Sequence, residues 1–133
     1  MMRSAASALL VLLLAACAAP PAPKPAPAPA SGLADLMERP AERSLFDGMR
    51  AYDDGLYTQA ETALRRALAQ GLKSPRDQAT AHKLLAFITC TSDRVPACET
   101  AFRAARSADP AFALSKSEAG HPLWGPVYKR VLP

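Results

Sequence analysis

The residues best equipped for chemistry in this chain of 133 are three cysteines, two histidines and a short aromatic tail. Cys90 and Cys98 stand eight positions apart across a predicted turn. Two thiols so placed can oxidise to a bridge, worth roughly 2–3 kcal/mol through loop closure when unstrained. They can instead ligate a metal, which would need two more ligands; His82 lies two turns back on the same helix. A redox-active pair fits poorly, because the spacing is not Cys-x-x-Cys. His82 and His121 are otherwise isolated. Neither belongs to a helical His-Glu-x-x-His pattern, and no serine elbow or paired-carboxylate cleft is evident. His82 reads as a surface or groove residue and His121 as a helix-entry residue before Pro122. The motifs therefore predict no enzyme, no cofactor and no resident metal.

Two other sets could bind. Trp124 and Tyr128 stand at i, i+4 in the stretch GHPLWGPVY. Such aromatics can anchor a partner-binding patch or plug the last hydrophobic groove of a helical domain. Arg65, Arg66, Arg103 and Arg106 repeat on the second helices of two predicted pairs. They form either a solvated face or a basic rim, led by Arg65 and Arg103, for an acidic partner segment.

Cys17 has a different setting. Arg3 precedes an apolar run from Ala5 to Ala16, too short to span a bilayer. Small residues, Leu14-Ala15-Ala16, lead straight into Cys17. This order of charge, apolar run, small residues and cysteine resembles the lipobox of bacterial lipoproteins. The resemblance implies that residues 1–16 are a signal peptide cut before Cys17, whose thiol carries diacylglycerol and whose amine is acylated. Two or more acyl chains hold a protein stably at about 0.8 kcal/mol per buried methylene. Ala18 stands where an aspartate would imply inner-membrane retention in that family, which implies an outer-membrane anchor facing the periplasm. From residue 18 to 30 proline and alanine nearly alternate, favouring polyproline II. At about 3.1 Å per residue this is a stalk of roughly 40 Å. Cys17 and the stalk make up residues 17–32. Export also favours the bridge over the metal for Cys90 and Cys98. The net charge of +4 is modest and dispersed, so no nucleic-acid partner is expected.

Residues 33–133 read as all-α, with no sustained alternation of period two. Leu45, Gly48, Met49 and Tyr52 share one helical face, and Asp53-Asp54-Gly55 breaks the run. Thr58 and Glu61 have capping-box spacing for a second helix, whose face is Ala60, Ala63, Leu64, Ala67 and Leu68. Gly71 suits a left-handed cap. Ser74-Pro75 opens a third helix carrying Ala81, Leu84, Leu85 and Ile88. After a turn at residues 91–94, Pro96 opens a fourth, with Cys98, Ala101, Phe102 and Ala105 on one face, stopped by Asp109-Pro110. Residues 33–43 can form a short helix before the first pair. Ser115 with Glu118 forms another capping box, and Gly125-Pro126 opens a last helix with Val127, Tyr128 and Val131.

The pairs repeat. GMRAYDDGLYTQAETALRRAL aligns on AFITCTSDRVPACETAFRAAR, with Gly48 on Ala86, Ala60 on Cys98, Leu64 on Phe102 and Ala67 on Ala105. Both copies read Glu-Thr-Ala-(Leu or Phe)-Arg. This resembles the tetratricopeptide pattern over residues 44–110, with Pro110 at the family's closing proline and the early tryptophan missing in both copies. The copies lie 38 residues apart against about 34 in the family, the surplus falling in GLKSPRD. The resemblance implies antiparallel helical hairpins, about two repeats, with flanking helices as caps. With the lipobox, the stalk, the cysteine pair and the tail DPAFALSKSEAGHPLWGPVY, the chain resembles the small tetratricopeptide lipoproteins encoded with type VI secretion systems, the TssQ family. That resemblance implies a periplasmic adaptor whose groove holds a helix or peptide of another envelope protein, accessory to such an assembly. The alternative is a structural or regulatory lipoprotein at the cell wall that positions a peptidoglycan enzyme, with peptidoglycan-associated proteins as partners.

Overall fold

The structure, a computed structural model, describes Gly32 and residues 38–133. Cys17, the leader before it and the stalk lie outside the described residues. The described chain is all-helical, without a strand. Four long helices are α1 (Pro40–Asp53), α2 (Tyr57–Ala69), α3 (Pro75–Thr91) and α4 (Val95–Ala108); α5 (Lys116–Ala119) and α6 (Gly125–Val131) are short. No described helix is long and apolar enough to cross a membrane.

Local chemistry explains most of the boundaries. Ser74 Oγ accepts from the Asp77 amide at 3.2 Å, and Pro75 follows at the first helical position. Ser115 and Glu118 make the reciprocal capping box. Gly71 takes φ +86° just beyond α2, the left-handed conformation that glycine adopts without penalty. The first helix of each pair ends in the same hydrogen-bonded turn. The Leu56 amide bonds Ala51 O at 2.8 Å and the Gly55 amide bonds Tyr52 O at 3.0 Å; the Arg94 amide bonds Thr89 O at 2.9 Å and the Asp93 amide bonds Cys90 O at 3.3 Å. Both are Schellman closures, with Gly55 and Asp93 at positive φ.

Four expectations need correction. Thr58 does not cap α2: that helix starts at Tyr57 with Leu56 before it and no side-chain cap. Glu61 is drawn away to two arginines, because charge-assisted bonds outweigh a bond to a neutral amide. Residues 40–43 are not part of a separate short helix but the first turn of α1, which Pro40 opens; residues 33–37 lie outside the described residues. Met49 is 40 % exposed, so the buried stripe of α1 is Ala41, Ser44, Leu45 and Gly48. Arg106 is not on a solvated face; its Nε donates to Phe112 O at 2.9 Å and fastens the chain after α4.

α1 packs chiefly on α2, α3 chiefly on α4, and α3 also contacts α2. Small residues allow the close approach. A Cβ on Gly48 would come within 2.8 Å of Leu64 Cγ and Cδ2, and Leu64 is fully buried. Ala86, at the equivalent place in α3, is also fully buried. Phe87 is the hub of an aromatic chain, with Tyr52 at 6.5 Å, Phe102 at 6.2 Å and Trp124 at 4.1 Å between ring centroids. Rings so spaced add about 0.5–1.5 kcal/mol per pair beyond area burial.

Candidate functional site

The structure joins the two cysteines expected to pair. Cys90 and Cys98 form a disulfide with Sγ atoms 2.06 Å apart and Cα atoms 5.2 Å apart. It ties the last turn of α3 to the first turn of α4. Bonded to each other, the sulfurs are not thiolate ligands. Among the described residues no group of three or more His, Cys, Asp or Glu gathers as a metal site.

Trp124 and Tyr128 come together with the end of the core rather than with the arginines. Trp124 stacks on Phe87 at 4.1 Å and on His121 at 3.3 Å, and its Nε1 donates to Glu118 O at 2.8 Å. The Leu114 amide donates to Tyr128 Oη at 3.2 Å, and the Tyr128 ring meets Phe102 and Phe112 edge-on. Both polar handles are therefore engaged inside the domain. Gly125, between the two, is needed because a Cβ there would meet Ala119 O at 2.5 Å. Beside them Lys83 Nζ donates to Glu118 at 2.7 Å. Burial opposes ionisation of Glu118, but the bonds from Lys83 and the Ser115 amide prevail and hold its carboxyl below the ordinary range.

The arginines belong to two matching trios. Glu61 accepts from Arg65 on its own helix at 2.6 Å and from Arg94, beyond the next turn, at 2.7 Å. Glu99 accepts from Arg103 at 3.4 Å and from Arg130 of α6 at 2.6 Å. Each trio carries a net charge of +1; the first links α2 to the turn between α3 and α4, and the second links α4 to α6. Arg94 first, then Arg65, lowers the Glu61 carboxyl to about 2; Arg130 first, then Arg103, lowers Glu99. The repeated Glu-Thr-Ala signature marked both glutamates, but local spacing assigned Glu61 to a cap.

A groove of about 470 Å³ lies where the backbones of α2 and α4 do not approach each other and α3 forms the floor. Leu85 and Thr89 come from the floor, Leu68 and Arg65 from α2, and Thr100 and Ala104 from α4. His82, half-buried at one edge, has its pKa lowered by burial, which keeps the imidazole neutral at pH 7. Of the residues expected to bind a partner, only Arg65 lines this groove; Arg103 lies on α4 without lining it. Sequence reading placed His82 at a surface or groove but had no signal for Leu85, Thr100 or Ala104, since the groove depends on two helices whose backbones stay apart.

The corresponding face of the first pair carries a smaller pocket, lined by α1 and α2 alone. It measures about 340 Å³, and its lining includes Asp47, Ala51, Gln59, Thr62, Ala63 and Arg66. These positions align, at the repeat offset, on Leu85, Thr89, Ala97, Thr100, Ala101 and Ala104. Asp47 and Arg66 thus bring opposite charges where the second pair has leucine and alanine. Compared with family profiles, characterised proteins and solved structures, the chain matches none.

Proposed function

We propose that this protein is a membrane-tethered periplasmic adaptor. In this reading Cys17 is lipidated in the outer membrane, residues 18–30 hold the domain off the lipid, and two tetratricopeptide-like hairpins engage another envelope protein. The observation that carries it is the repetition itself. The same Schellman turn and the same glutamate with its i+4 arginine recur at an offset of 38, and six lining positions of the first pair's pocket fall on lining positions of the second's. Stacked helix pairs of this kind present grooves suited to helices and extended peptides. The sequence likeness to lipoproteins of type VI secretion systems makes such an assembly the favoured setting.

The test uses the full chain in bacterial cells, crosslinked in the envelope and then isolated. The adaptor reading expects the chain in the membrane fraction, coupled to a specific envelope protein. Cys17→Ser should move it to the soluble fraction as an unprocessed precursor. Sedimentation with purified peptidoglycan, with no protein crosslink, would overturn the adaptor in favour of a wall-acting lipoprotein. Continued membrane fractionation of the Cys17→Ser chain would overturn the anchor.

A further inference from the structure

Three features compete as an unassigned site. The aromatic tail is closed in on itself, as its internal bonds show. The groove of the first pair is self-neutralised by Asp47 and Arg66. The groove between α2 and α4 differs from both. Leucine and alanine dominate its lining, together with one cation, one neutral imidazole and no carboxylate. The hydroxyl of Thr89 already donates to Leu85 O at 2.7 Å and that of Thr100 to Pro96 O at 3.0 Å, so neither offers a free donor.

We infer that this α2–α4 groove is a docking site for an acidic peptide segment, taking a large apolar side chain against Leu68, Leu85 and Ala104 with a flanking carboxylate on Arg65. The inference rests on the adaptor reading and gives it a partner chemistry. Size supports it: about 470 Å³ lies within the range of pockets that enclose small ligands, and an aromatic side chain is the usual anchor in such a pocket. Charge complementarity fixes the sign. Arg65 Nε and Nη2 both donate to Glu61, at 3.0 and 2.6 Å, and that carboxylate is shared with Arg94. The trio as a whole keeps a charge of +1; Arg65 is its member in the groove lining, and no acid among the lining residues offsets it. A cationic segment would meet repulsion there, and an uncharged one would lose the orienting contact. The contrast with the first pair argues that the apolar lining is local to this groove: the aligned positions Asp47, Gln59 and Arg66 are all polar.

The probe is a fluorescein-labelled seven-residue peptide, Gly-Ser-Asp-Trp-Asp-Ser-Gly, with Lys-Trp-Lys and Asp-Ala-Asp versions as controls. It is titrated by polarisation against the full chain held in lipid nanodiscs. We expect saturable binding of the Asp-Trp-Asp peptide and at least tenfold weaker binding of both controls. Thr100→Trp, at an exposed wall position, should fill the groove and weaken binding at least tenfold. Ala97→Phe, also exposed, should do the same if Thr100→Trp lowers the melting temperature. Arg65→Gln should weaken it about fivefold, and Arg103→Gln should leave it unchanged. Absence of binding at millimolar chain, equal binding of the Lys-Trp-Lys peptide, or full binding by a folded Thr100→Trp chain would each overturn the site. The adaptor reading is judged separately: a protein crosslinked in cells by both wild type and Thr100→Trp would keep the adaptor and remove the groove.

Discussion

Glu61 shows how one side chain links the two pairs. Its side chain is 18 % exposed, its carboxylate lies between Arg94 and Arg65, and the bonds from Arg94 first and then Arg65 lower its pKa from 4.5 to about 2. A folded-state value below the unfolded one means that the folded state favours the ionised form. The stabilisation is complete above about 4.5 and is lost as pH falls towards 2. The arginines reach solvent, at 58 % and 44 % exposure, so screening reduces the benefit to about 1 kcal/mol. Glu61→Gln should therefore lower stability by about that amount at pH 7 in urea denaturation. The difference from wild type should shrink steadily below pH 4.5 and vanish near pH 2. A constant difference across that range would mean that the side chain acts through packing rather than charge.

Among the elements, the second pair carries a covalent tie that the first lacks. Tyr52 and Ala60 stand where α3 and α4 have Cys90 and Cys98, yet both turns close with the same backbone bonds. The bridge is thus not needed to shape the turn, and its contribution comes mainly from restricting the unfolded chain. Replacing both cysteines with alanine should cost roughly 2–3 kcal/mol and lower Tm by about 8–24 °C. Far-UV circular dichroism should show helicity unchanged at 20 °C. Stoichiometric zinc in wild type, lost in the variant, would restore the metal alternative. The same comparison shows what could be read from the sequence. Helix starts at Ser74-Pro75 and Ser115, the stop at Gly71, and the small-against-large register of Gly48 with Leu64 depend on neighbours within one pair, and the residue types declare them. The fate of Glu61 depended on an arginine 33 positions away, and the α2–α4 groove on a gap between helices whose backbones stay apart. Neither leaves a local pattern.

At the level of the whole domain, two helix pairs alone make a small core. The two ends of the described chain meet that shortage differently. At the first pair, polar Asp47, Gln59 and Arg66 occupy positions that are apolar in the second, so that edge tolerates water. At the other end, Phe87 and Phe102 would be bare. They are covered by Trp124 and Tyr128, positioned by α5 and α6 and held by the Lys83–Glu118 and Arg130–Glu99 bonds. The stack therefore depends on its tail more than on its bridge. Deleting residues 116–133 should abolish the cooperative thermal transition and produce strong binding of an apolar dye, whereas the cysteine variant keeps a sharp transition at lower temperature. The reason is additive: the deletion uncovers two core aromatics at once, each worth about 1.5–3 kcal/mol when fully buried, in a domain whose total stability is about 5–15 kcal/mol. A truncated chain that still melts sharply within a few degrees of wild type would show that the two pairs close a core by themselves, and that the aromatic tail serves something other than folding.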